Sequence, residues 1–138
     1  MDWFGVSGSP FAVVSYLSSF AMSPDGRYLY AAECIPPAEV GFFCDGALET
    51  LAVNSNGQIS SVGSQPLAPS YGLPGITASG SFVFAGTITT HTVQGGSQDI
   101  YTGTINTFSA DPSSGVLTPA GTTTTAGGAG YLLAVPAQ

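Results

Sequence analysis

The sequence predicts an all-β chain built from a repeated four-stranded unit. Three observations predict it. Polar turns punctuate the chain at short intervals, beginning with Ser23-Pro24-Asp25-Gly26, and 19 Gly with 10 Pro leave little room for long helices. The segments between turns are short and rich in Tyr, Phe, Val and Thr, residues that suit a pleated, buried surface. Ile76 to Ala85 then repeats Met22 to Ala31, with aromatic on aromatic at Tyr28/Phe82 and Tyr30/Phe84.

Taken in order, Trp3 to Gly8 reads as a lone strand, followed by Ser9-Pro10-Phe11-Ala12. Ser18 to Ser23 is the next strand. In the turn that follows, Pro24 presets φ, Asp25 bonds its own backbone and Gly26 accepts positive φ. Arg27 to Ala32 forms a strand, and Glu33 to Gly46 reads as a loop holding Pro36-Pro37 and both cysteines. Ala47 to Val53 is a strand that turns at Asn54-Ser55-Asn56-Gly57 into a partner, Gln58 to Gly63. Gln65-Pro66-Leu67-Ala68 follows.

The second unit repeats this plan. Ile105 to Phe108 lines up with Leu48 to Leu51, Asp111-Pro112-Ser113-Ser114-Gly115 replaces the Asn-rich turn, and Ala126 falls on Ala68. A third copy starts at Tyr131 to Pro136. A period of roughly 55 residues holding four strands is expected of propeller blades. Tyr28-Leu29-Tyr30 and Phe82-Val83-Phe84 do not alternate with polar residues, as expected for a blade buried on both faces. The expected organisation is a partial β-propeller over residues 1–138. Residues 1–12 supply the last strand of a preceding blade, 18–68 and 73–126 form two complete four-stranded antiparallel blades, and 127–138 open a following blade.

Gly8-Ser9-Pro10-Phe11-Ala12, Ser23-Pro24-Asp25-Gly26-Arg27-Tyr28-Leu29-Tyr30 and Asp111-Pro112-Ser113-Ser114-Gly115-Val116-Leu117 together resemble the lactonase-type β-propeller family, the 6-phosphogluconolactonase-like proteins with YVTN-type repeats. The resemblance spans nearly the whole chain and lies in the repeat, not in a catalytic motif. It implies a propeller fold, and it implies a fragment of a sugar-lactone hydrolase as the alternative to a non-enzymatic module.

Charge narrows the functional classes. Net charge is −7 with a single Lys or Arg, which argues against nucleic acid and phosphorylated metabolites, both of which rely on cations. A small sugar-like ligand stays open. No apolar run reaches the ~20 residues of a membrane helix. Met1-Asp2-Trp3-Phe4 lacks the basic region of a signal peptide.

Cys34 and Cys44 flank the Pro-rich loop. Too few His and Cys accompany them for a metal site, and the spacing is not that of a redox motif, so a disulfide is expected, and with it an extracellular or periplasmic location. Free thiols are the alternative. His91 lies in Thr87 to Asp99, read as the loop matching the cysteine loop, and Asp99 is the nearest acid to serve it as partner. Arg27 could clamp a carboxylate or simply meet solvent or Asp25. The Thr87 to Thr92 and Thr122 to Thr125 stretches read equally as glycosylation sites or as β-prone surface. Trp3, Phe4, Tyr28, Tyr30, Phe82 and Phe84 read as blade core.

No catalytic constellation, metal site or cofactor is identified. The expected function is a non-enzymatic module acting in assembly or binding. A blade needs neighbours on both faces, so the chain is expected to associate with copies of itself or with remaining blades of a larger propeller.

Overall fold

The computed structural model describes residues 16–35, 43–71, 74–94 and 98–126. Every element among them is a strand: β1 (Tyr16–Met22), β2 (Tyr28–Ile35), β3 (Phe43–Val53), β4 (Ile59–Tyr71), β5 (Gly75–Ser79), β6 (Phe82–Gln94), β7 (Gln98–Ala110) and β8 (Leu117–Thr125). They form two four-stranded antiparallel sheets, ordered β1-β2-β3-β4 and β5-β6-β7-β8, and neither closes on itself. The lone strands expected near residues 1–12 and 127–138 lie outside the described residues.

Turn chemistry explains the hairpins. Ser23 and Tyr28 close the first turn, with Ser23 N–H donating to the Tyr28 carbonyl at 2.8 Å and Gly26 N–H to that of Ser23 at 2.9 Å. Asp25 Oδ1 accepts from Ser23 Oγ at 2.7 Å and from Arg27 N–H at 3.2 Å, the self-bonding expected of Asp in a turn. In the last turn Asp111 Oδ1 accepts from Ser113 N–H at 2.7 Å and Ser114 N–H at 3.1 Å. The repeat extends to irregularities. β-bulges fall at Thr50/Leu51 and at Thr107/Phe108, the equivalent place in each sheet.

Two expectations are corrected. Glu33 to Gly46 is not wholly a loop: β2 continues through Ile35 and β3 begins at Phe43, so Glu33 and both cysteines sit on strands. Thr87 to Asp99 is likewise a hairpin, pairing Thr87 with Thr104 and Val93 with Asp99. An antiparallel ladder continues while each residue finds a backbone partner, and the β-branched Thr residues favour that. Strand β4 also runs through Pro66, opposite Ala47; an edge strand tolerates Pro because one of its sides needs no ladder bond.

Residues directly opposite share a face, and faces alternate along a strand. We call the side of the first sheet bearing Tyr28, Tyr30 and Ala32 its front, and that bearing Leu29, Ala31 and Glu33 its back. At the repeat-equivalent positions the second sheet has Phe82 and Phe84 in front and Val83, Ala85 and Thr87 behind. The core joins the front of the first sheet (Tyr28, Tyr30, Ala32, Leu48) to the back of the second (Ile76, Val83, Ala85, Phe108). Ala31 and Ala32 are both fully buried, so β2 is covered on both faces. That is why its sequence shows no alternation.

Candidate functional site

The turn ends of the two sheets meet in a cleft of about 250 Å3, lined by Ser23, Asp25, Tyr28, Tyr30, Ala110 and Pro112 among others. The β1–β2 turn reaches across to the β7–β8 turn there. Tyr28 Oη donates to the Ser113 carbonyl at 2.8 Å, and the Arg27 guanidinium donates to the Pro112 carbonyl. Arg27 Nε also meets Asp25 Oδ2 at 2.6 Å, and its charge lies 5.6 Å from the Tyr28 ring centroid. Gly115 packs on that ring. Its φ of 73° and the proximity of the ring both demand glycine.

Electrostatics make this cleft a poor place for acid–base work. Hydrogen bonds from Ser23, then from the Arg27 side chain and backbone, lower the Asp25 carboxyl to about 2. Asp25 in turn raises the Arg27 pKa above its ordinary value. Burial raises the Tyr30 phenol. Ser23 Oγ donates to Asp25 and accepts from Tyr28 N–H at 2.9 Å. A serine nucleophile needs a base near its operating pH, and a carboxylate this acidic is too weak a base. Arg27 is thus engaged by Asp25, Pro112 and Tyr28, the geometry of a link between repeats.

A second cluster was not legible in the sequence. Glu33 on β2 is 3% exposed, and its Oε1 has no hydrogen-bond partner. In the ladder Ala31 faces Glu49 and Glu33 faces Ala47, so the two glutamates are diagonal neighbours on the back of the first sheet. Burial, then a hydrogen bond to Glu49 and the charge of Glu49, push Glu33 up to about 7. Glu33 thus stays protonated up to near neutral pH. The usable signal was the spacing of Glu33 two residues beyond Ala31, which places it on the same face; reading Glu33 as the start of a loop concealed it.

The other sequence candidates are spread apart. His91 pairs with Tyr101 and Asp99 with Val93, so both lie on the β6–β7 hairpin, two ladder positions from one another. That hairpin arm is at the sheet end opposite the Ser23–Arg27 turn. Cys34 is buried on β2 opposite Gly46, and Cys44 on β3 lies opposite Ser70. Among the described residues no cysteine is free. No group of three or more His, Cys, Asp or Glu there could hold a metal ion, and no helix is long and apolar enough to cross a membrane. Thr122, Thr123 and Thr124 are exposed on the edge strand β8, whereas Thr87 is fully buried. Phe82, expected in the core, is 46% exposed.

Comparison with protein-family models finds no match, and comparison with curated proteins finds none.

Proposed function

We propose that this chain is a partial β-propeller of the lactonase-like type that acts without catalysis, through repeat stacking in assembly or binding. The observation that carries the reading is the interface between its two sheets. One repeat buries its front on the back of the next, and the contact is keyed by Tyr28, Arg27 and Gly115 rather than built around a reactive centre. Polar bonds from near the sheet-to-sheet connection add to it. Ser19 Oγ donates to the Pro74 carbonyl at 3.1 Å, and Ile88 N–H donates to Ser70 Oγ at 3.0 Å. Repeat arrays gain stability from such neighbour contacts.

An extracellular or periplasmic setting and a Cys34–Cys44 disulfide belong to the same proposal. The engagement of Cys34 and the adjacency of β2 and β3 support the bond. The turn-end cleft is smaller than the ~300 Å3 at which small-molecule pockets usually begin, which ranks a sugar-like ligand behind assembly.

The alternative, a fragment of a lactonase-like hydrolase, draws on one observation: a Glu33 pKa near 7 suits a general acid or base. Glu33 is buried in a strand and does not line the cleft, which ranks this reading second. Light scattering on the 138-residue chain tests the first reading. Mass rising with concentration is the expected result; a folded monomer at all concentrations, with a cooperative melt, overturns it. Turnover of a sugar lactone abolished by Glu33→Gln would favour the alternative.

A further inference from the structure

The turn-end cleft holds two hydroxyls that the fold leaves unused. Most polar groups around it are committed. Tyr28 Oη donates to the Ser113 carbonyl, and the Pro112 carbonyl accepts from Arg27. Ser23 Oγ donates to Asp25 and accepts from Tyr28 N–H. Asp25 accepts on both carboxylate oxygens. Tyr30 and Ser81 differ. Both line the cleft, and neither side chain has a hydrogen-bond partner among the described residues. Tyr30 is only 3% exposed, on the front of the first sheet where it meets the second. Buried hydroxyls are nearly always paired, so an unpaired one beside a cleft calls for a partner from outside the chain.

The chemistry of the cleft limits that partner. Asp25 is ionised, with a carboxyl held at about 2, and its charge is already matched by Arg27. An anion would find no free cation there, and a cation would find a carboxylate already paired. A neutral ligand fits. Burial, then the charges of Asp25 and Tyr28, raise the Tyr30 phenol, which keeps it protonated and able to donate. The rest of the described wall is largely apolar, with Pro24, Pro112, Ala110 and the Tyr28 ring. A sugar carries a hydroxyl on nearly every carbon, and two free hydroxyls cannot satisfy so many buried groups. Size points the same way. An apolar cavity of about 150 Å3 holds benzene, so the 250 Å3 here holds a six-membered ring with a polar substituent.

We propose that the turn-end cleft is a binding site for a small neutral ring molecule carrying one hydroxyl or carbonyl oxygen, held at that oxygen by Tyr30 Oη and Ser81 Oγ. Tyr30 belongs to β2 of the first sheet, and Ser81 to the turn between β5 and β6 of the second. The occupant therefore bridges the two repeats, and it stabilises their junction because only the folded chain binds it. The proposal rests on the stacking of the two sheets within one chain and is independent of association between chains.

NMR titration of the full chain tests this, with phenol as the probe, benzene as its analogue without the oxygen, and glucose as the sugar. Phenol should shift the backbone amides of Gly80, Ser81 and Ala110 saturably. Benzene should bind there about threefold to tenfold more weakly, the net worth of one hydrogen bond. Glucose should give no saturable shift. Tyr30→Phe should weaken phenol by the same factor and leave benzene unchanged. Its urea midpoint should match that of the native chain, because the lost hydroxyl has no partner in the fold. Ser81→Ala, at an exposed position, repeats the comparison without touching the core. Absence of a saturable phenol shift, tighter binding of glucose than of phenol, or equal weakening of phenol and benzene by both variants overturns the site. Each of these leaves the stacking reading in place, which light scattering judges separately.

Discussion

Gly115→Ala perturbs the junction between repeats at its tightest point. A Cβ there would lie 2.4 Å from Tyr28 Cδ1, 2.5 Å from Cε1 and 2.9 Å from Cγ. The ring cannot swing aside easily, because its root is in β2 and its hydroxyl is held by the Ser113 carbonyl. Two costs therefore add. Alanine at φ of 73° costs about 1–2 kcal/mol in the backbone. Forcing a methyl group into a filled contact costs about 1–3 kcal/mol more. Gly26→Ala is the internal control. Its φ is 72°, and nothing lies within 4 Å of the added Cβ, so it pays only the first cost. Equilibrium urea unfolding of the two variants should separate them by about 1–3 kcal/mol, the steric part alone. Tyr28→Leu combined with Gly115→Ala should recover part of that difference, since contacting sites are not additive. Equal destabilisation by Gly115→Ala and Gly26→Ala would refute the packing of Gly115 on Tyr28.

The Glu33 carboxyl, raised from 4.5 to about 7, contributes stability fully present below pH 4.5 and lost as pH rises through 7. Glu33→Gln should flatten this loss and leave the variant more stable than the native chain at pH 8; urea melts at pH 5 and pH 8 decide it, and an unchanged slope rejects the raised Glu33 carboxyl. Asp25 has the opposite sign: its contribution is complete above 3.8 and is lost as pH falls through about 2. Carboxyl-carbon NMR should find that low midpoint in the native chain and a higher one in Ser23→Ala. Thiol titration of the denatured, unreduced chain should find no reactive cysteine if Cys34 and Cys44 are bonded, and two free thiols reject the bond.

Local chemistry was legible in the sequence. Pro24, Asp25 and Gly26 specify a turn through their own backbone preferences, as Asn54 to Gly57 and Asp111 to Gly115 do, and these turns mark hairpins wherever the rest of the chain goes. The alignment of Phe82 with Tyr28 likewise foretold two sheets of like construction. Strand length was another matter. Thr87 to Thr92 and Glu33 to Ile35 extend strands because distant residues supply ladder partners, and a partner's backbone leaves no mark on the local sequence. Burial on both faces also removes the period-two alternation that would have told front from back. Only the tertiary structure therefore decided that Tyr28 meets Gly115, that Glu33 lies diagonal to Glu49, and that Phe82 faces outward while Val83 faces the core. Each depends on which sheet covers which face, and that is settled by packing between repeats rather than by the residues along one strand.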